Sequence, residues 1–221
     1  MKREVDFLVI GSGLAGLSFA LKVADFGKVL VVTKCSLDQT NTSYAQGGIA
    51  AVSDQRDSVD KHVADTLDAG DGLCDEEVVR MVAGEAPAQI RQLIDWGARF
   101  DMKGEGTYDL AREGGHSEHR IFHHKDNTGF EIQRALGERV RNHPNITILE
   151  NHFAVDIITQ HHLGALVKRY HTDIECYGAY LLNIETRRTV RALARVTFMA
   201  TGGTGNLYLT TTNPLVATGD G

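Results

Sequence analysis

The sequence predicts an α/β fold, a parallel central sheet with an additional β-meander, and three observations carry that prediction. A β-prone run at residues 4–10 passes through closely spaced glycines into a helical pattern and a second β-prone run, which is how a parallel sheet begins. The middle of the chain reads as helices, and the last third returns to alternating β-type runs around a polar turn. With 42% hydrophobic and 7% aromatic residues, the 221 positions hold enough apolar material for a core, and one domain over 1–221 is the simplest description.

Taken in order, the first strand is expected over residues 4–10, the first helix over 17–26 and the second strand over 28–33. The stretch 34–52, with small polar residues around Gly47 and Gly48, reads as an ordered loop. Helices are expected over 58–67 and 75–96, each after a capping-type residue with acids in its first turn, the second broken near 84–87 by glycine and proline. Residues 99–124, rich in glycine, histidine and charge, read as irregular, and long loops of that composition tend to carry function. A helix over 128–140 follows, then strands over 146–149, 154–159, 176–184 and 189–200, the last two joined by a polar turn at 185–188. His161 and His162 are expected to be exposed in a hairpin.

The formal net charge of −6 speaks against a nucleic-acid partner, whose phosphates would want a basic face. Cys35, Cys74 and Cys176 are odd in number and form no C-x-x-C pair, so neither a disulfide framework nor a thiolate zinc site is expected, and a cytoplasmic location fits. The apolar run at 7–10 ends at once in glycine, so no signal peptide and no membrane span are expected.

Gly11-x-Gly13-x-x-Gly16 stands between a strand and a helix, where glycines permit a tight turn, close approach to a pyrophosphate and close helix packing. The pattern predicts a Rossmann-like dinucleotide site, with a purely structural turn as the alternative, and it does not choose between NAD and FAD. The second strand ends in Thr33-Lys34 instead of the carboxylate that commonly takes ribose hydroxyls. Lys34 is then either a solvated strand-end charge or a group near an adenosine.

Three further segments carry a resemblance. Asn41 to Gly48, ending Tyr44-Ala45-Gln46-Gly47-Gly48, then Ala200-Thr201-Gly202-Gly203, then Thr211-Thr212-Asn213-Pro214 running into Gly219-Asp220-Gly221, resemble the FAD-binding signatures of the succinate dehydrogenase and fumarate reductase flavoprotein superfamily. Within it the chain is most similar to the L-aspartate oxidase family, including Ala45-Gln46-Gly47-Gly48-Ile49-Ala50-Ala51 and Arg112-Glu113-Gly114-Gly115-His116.

The resemblance implies a Rossmann-like FAD-binding domain in which Gly11, Ser12, Gly13, Leu14, Ala15 and Gly16 form the pyrophosphate turn and Lys34 lies by the adenosine ribose. Asn41, Thr42, Ser43, Tyr44, Ala45, Gln46, Gly47 and Gly48 would wrap the pyrophosphate, ribityl chain and flavin edge. Phe153 and Ala154 would meet adenine through main chain, simple core packing being the other reading of Phe153. Ala200, Thr201 and Gly202 belong to the same signatures, and Asp220 would contact the ribityl and pyrophosphate region.

Two positions separate the branches of the superfamily. Succinate dehydrogenase flavoproteins carry a histidine, bonded to the flavin, where this chain has Asn41, so FAD is expected to be non-covalent. Glu113 replaces an apolar residue of the dicarboxylate enzymes and is the expected catalytic-site residue, orienting the α-ammonium of L-aspartate. A surface ion pair with Arg112 or Arg120 is the alternative. A metal site at His116, His119 and His123 would need a helix that Gly114 and Gly115 disfavour, so no metal is expected.

The resemblance implies oxidation of L-aspartate to iminoaspartate, with oxygen (giving hydrogen peroxide) or fumarate as acceptor. The resemblance makes this the first step of de novo NAD biosynthesis toward quinolinate, which implies a functional link to quinolinate synthase, the next enzyme of that route. The capping domain and the residues that hold the substrate carboxylates are expected beyond Gly221, so the natural chain is expected to continue and these 221 residues to have little activity alone. A soluble fumarate reductase or succinate dehydrogenase flavoprotein and a non-enzymatic FAD-binding fragment are the alternatives.

Overall fold

The computed structural model describes residues 2–104, 106–168 and 170–221. In chain order the elements are β1 (Lys2–Ile10), α1 (Leu14–Val23), β2 (Val29–Val32), α2 (Asn41–Tyr44), β3 (Ile49–Ala50), α3 (Val59–Ala69), α4 (Glu76–Asp95), β4 (Met102–Gly104) and β5 (Thr107–Tyr108). β6 (Ile121–Phe122), α5 (Thr128–Arg141), β7 (Ile146–Leu149), β8 (His152–Thr159), β9 (Cys176–Asn183) and β10 (Thr189–Met199) complete them. They divide into two units, Met1–Tyr44 with Leu136–Gly221, and Ala45–Ala135.

In the first unit six strands form one sheet in the order β7-β2-β1-β10-β9-β8. The first four run parallel, with Phe7 opposite Val29, Val29 opposite Ile146, and Ile10 opposite both Val32 and Met199. β10, β9 and β8 run antiparallel, so the expected parallel sheet and meander are joined through β10. Leu8, Ile10, Leu30 and Val32 join Ala179, Leu181 and Ala192 in one core cluster, while Val9 and Val31 on the opposite face are also buried. Burial on both faces explains why these strands read as unbroken apolar runs. α1 lies over the Val9 face: a Cβ on Gly16 would be 3.3 Å from Val9 Cγ1, and Leu17, Ala20 and Leu21 are buried. Each such Leu or Val contributes on the order of 1.5–3 kcal/mol.

The stretch 34–52 is more ordered than a loop. α2 is a single turn started by Thr40, whose Oγ1 accepts the Ser43 N–H at 3.2 Å, and β3 belongs to the second unit. His162 is not exposed with its neighbour. It lies in a 3₁₀ turn, Gln160–Leu163, where its Nδ1 accepts the Thr159 N–H at 3.3 Å and its Nε2–H donates to Asp156 at 3.1 Å.

In the second unit Ser58 caps α3 by accepting the Lys61 N–H, and Asp75 caps α4 by accepting that of Val78, both at 3.2 Å. The expected break at 84–87 does not occur: α4 is continuous with Pro87 inside it. Proline removes one donor from the ladder, but Ala83, Ile90 and Leu93 form a buried face that runs on past it. The segment 99–124, expected to be irregular, contains a β4–β5 pair, an Ala111–Ile121 bridge, and β6 paired antiparallel with β3. Phe122 anchors it between Phe100 and Tyr108, with ring centroids 5.5 and 5.1 Å away.

The three cysteines are free thiols. Among the described residues no helix is long and apolar enough to cross a membrane.

Candidate functional site

β1 delivers the glycine turn to the carboxyl edge of the sheet, and that turn has no room for side chains. A Cβ on Gly11 would lie 2.1 Å from the Ala200 carbonyl oxygen, and its φ of +111° is open only to glycine without strain. A Cβ on Gly16 would lie 2.1 Å from the Gly11 carbonyl oxygen. The chain therefore folds back tightly and α1 begins beside the strand ends. Its N-cap, Gly13, supplies no side-chain cap, and the Leu14 N–H donates to Thr42 Oγ1 at 3.0 Å. Ser12 is buried, its hydroxyl 3.1 Å from both Thr33 Oγ1 and the Leu37 carbonyl, which ties the turn to the chain leaving β2.

At this edge the first unit opens a cavity of about 860 Å³. The turn lines it with Gly11, Ser12, Gly13, Leu14 and Ala15, and the chain after β2 with Lys34, Asn41 and Thr42. Phe153 and Ala154 come from β8, and Ala200, Thr201, Gly202 and Asp220 from the chain after β10. Consecutive residues of a regular strand face opposite ways, yet 152–157 all line the cavity. A register shift between Ala154 and Asp156 marks a bulge, which re-aims the strand there.

Lys34 is not a solvated strand-end charge. Its Nζ donates to Thr218 Oγ1 at 2.6 Å and forms an ion pair with Asp220. Hydrogen bonds from Lys34 and then Thr218 hold the Asp220 carboxyl below its ordinary value. A carboxylate from residue 220 thus stands beside the lysine that follows β2.

Other expected residues stand elsewhere. Gly16 serves packing, and Ser43 and Tyr44 are engaged with Asp38 and Gln39. Ala45, Gln46, Gly47 and Gly48 belong to the second unit, where the Ala45 carbonyl accepts the Gly129 N–H at 3.0 Å and Gly48 packs against Ile121. Glu113 also lies in the second unit, exposed on a loop. The Arg112 or Arg120 surface pair does not form. Arg112 Nε donates to the His116 carbonyl at 2.9 Å, while Arg120 is fully buried against Asp57 and Asp65.

His116, His119 and His123 do not share a helix, and His123 and His124 both approach Asp101, at 3.3 and 3.5 Å. Among the described residues no group of three or more His, Cys, Asp or Glu side chains is set to hold a metal ion.

Sequence reasoning missed Thr218, Thr33 and Thr40, each of which braces the cavity or its wall. Only Thr218 left a signal, standing two residues before Asp220.

The lining suits a dinucleotide: a glycine turn and helix N-terminus for phosphates, apolar walls for rings, and a Lys–Asp pair for polar groups. A family model described as a FAD binding domain matches residues 6–221. The chain belongs to that family. The cofactor of this FAD-binding domain is FAD. The domain is 51% identical over 219 residues to L-aspartate oxidase 2-a, chloroplastic, of Nicotiana tabacum, covering 99% of this chain and 33% of that protein. It is 52% identical over 220 residues to L-aspartate oxidase, chloroplastic, of Arabidopsis thaliana, covering 99% and 32%. Among solved structures it is similar to E. coli quinol fumarate reductase FrdA carrying a point mutation, with a TM-score of 0.88, 30% identity, and coverage of 100% of this chain and 36% of that one. The FAD-binding domain thus spans about a third of the length of the plant relatives it matches.

Proposed function

We propose that the cavity of the first unit holds FAD without a covalent bond, and that the protein built on this domain oxidises L-aspartate to iminoaspartate. The observation that carries the reading is 51–52% identity along 99% of the chain to proteins named L-aspartate oxidase, against 30% to a quinol fumarate reductase.

Bound FAD supplies the hydride acceptor, and the protein supplies orientation and electrostatics. The N–H groups at Gly13 and Ala15, with the positive end of α1, stabilise the pyrophosphate. Lys34 and Asp220 meet the polar groups of the ribose and ribityl chain, while Phe153 and Ala154 meet adenine. Asn41 and Thr42 meet the cofactor from the chain after β2. An amide at Asn41 cannot form the covalent bond that histidine forms, so FAD stays free to leave. Glu113 accepts a charge-assisted hydrogen bond from the substrate ammonium, and its exposed carboxylate, with no ion pair to Arg112 or Arg120, is available for that role.

Oxygen or fumarate takes the electrons, and the product feeds quinolinate synthase in a cytoplasmic route to NAD. These 221 residues alone turn over little aspartate, in line with their covering a third of the relatives' length.

An absorption spectrum followed by acid precipitation tests the cofactor assignment. FAD in the supernatant is the expected result, and yellow colour kept in the pellet would overturn the non-covalent reading. Aspartate-dependent formation of peroxide with oxygen, or of succinate with fumarate, by the full-length protein tests the reaction, and the absence of both would overturn it.

A further inference from the structure

Arg120 has no exposed surface, yet it carries a permanent charge into the second unit. Its five N–H donors are all engaged. Nε and NH2 grip Asp57 with two bonds of 2.8 Å, and NH1 reaches Asp65 Oδ2 at 2.5 Å. The remaining donors meet His116 Nδ1 at 3.2 Å and Ser117 Oγ at 3.4 Å. Asp65 Oδ2 also accepts the N–H and the hydroxyl of Ser117, both at 2.8 Å. One guanidinium thus joins α3 and the chain before it to two consecutive residues of the loop that carries Glu113.

The loop is folded tightly upon itself. Arg112 Nε donates to the His116 carbonyl, and the His116 N–H donates to the Glu113 carbonyl at 3.2 Å. A guanidinium can only donate, so His116 Nδ1 is the acceptor of this bond. Glu113 is exposed at the start of this turn, its carbonyl held by the His116 N–H and its carboxylate free of ion pairs among the described residues. Fixing the backbone that carries a charged side chain lowers part of the entropy cost of recognising an oppositely charged group.

We infer that Arg120 is a positioning residue for substrate recognition: through His116 and Ser117 it fixes the loop that presents Glu113, and so favours a dicarboxylate bearing an α-ammonium over one that lacks it. This rests on the role given to Glu113 above. Arg120 touches no substrate in this assignment. A lysine in its place would keep the charge but could not hold Asp57 bidentately while reaching both His116 and Ser117.

The test uses the full-length holoenzyme, normalised to bound FAD, with KM and kcat measured for L-aspartate oxidation and for fumarate reduction in Glu113→Gln, Arg120→Lys and Ser117→Ala. Arg120→Lys is expected to raise KM for aspartate by about tenfold and Ser117→Ala by about threefold, with KM for fumarate changing less than about twofold in both. If Arg120→Lys fails to fold or to retain FAD, Ser117→Ala decides alone. Equal losses on both substrates in Ser117→Ala, or an unchanged KM for aspartate, overturn the positioning role. Equal losses in Glu113→Gln overturn the reading of Glu113 and the inference with it, whereas a selective loss there beside unselective losses in the other two overturns the inference alone.

Discussion

Lys34 and Asp220, 186 positions apart in sequence, form an ion pair on the lining of the cavity in the first unit. The chain after β2 and the chain after β10 are fastened to each other by this contact, with Thr218 as a third member. Asp220→Asn would keep the shape and remove the charge. FAD affinity is expected to fall by about tenfold, or about 1.4 kcal/mol, in a flavin fluorescence titration. Unchanged affinity would remove the pair from cofactor binding.

The two glycines Gly11 and Gly47 should answer differently to alanine. A methyl group at Gly11 meets the Ala200 carbonyl at 2.1 Å with φ at +111°, so the turn has to move. Gly11→Ala is expected to cost at least about 2 kcal/mol in urea unfolding. At Gly47 nothing lies within 4 Å, so Gly47→Ala should stay within about 0.5 kcal/mol and leave the fold undisturbed.

The Arg120 cluster should set the acid limit of the second unit. Burial raises the Asp65 carboxyl, but the Ser117 N–H, the Arg120 guanidinium and the Ser117 hydroxyl outweigh it and bring the pKa to about 2. Asp57 is lowered too, its burial outweighed by Arg120 and the Ser58 N–H. A carboxylate with a depressed folded pKa contributes its stability above the unfolded value of about 4 and loses it as pH falls through the folded value. Asp65 alone corresponds to about 2 kcal/mol, so melting temperature should fall steeply between about pH 4 and pH 2. Asp57→Ala, which strands a buried guanidinium, should cost about 3–5 kcal/mol at neutral pH.

His62 adds a gentler slope at higher pH. Its burial, with Arg120 and His116 beside it, pushes it below the ordinary histidine value, so the unfolded chain takes up a proton first as pH drops below about 6.5. Stability should therefore begin to decline below that point, and His62→Gln should flatten the decline in melts between about pH 7 and pH 5.

Pro87 interrupts the ladder of α4 without ending the helix. Pro87→Ala restores a donor for the preceding turn and is expected to stabilise by about 1–2 kcal/mol, after allowance for the more flexible unfolded chain. A loss of stability in urea would mean that the proline ring packs better than a methyl group there.

What could be read from the sequence was what depends on near neighbours. The strand, glycine turn and helix at the start follow from local pattern, as do the caps at Ser58 and Asp75. Pro87 misled because a buried face on both sides of it outweighs one lost donor. α2 was missed because a four-residue turn has no period to detect. Arg120 read as a surface charge because nothing beside it in sequence announces Asp57 and Asp65, which lie 63 and 55 positions away. Asp220 was recognised by resemblance, but its ion pair with Lys34 could not be read from either end alone.

The place of β10 has a consequence for how the chain is made. Within this sheet β1 is made before β10, yet the two are neighbours, with Lys2 opposite Arg191. At about 5–20 residues per second of translation, that edge waits roughly 10–40 s for its partner. An apolar parallel edge left open so long is a template for pairing with a second nascent chain. Ribosome spacing and chaperone occupancy during that interval would therefore govern yield, and synthesis halted before β10 would leave β1 sticky.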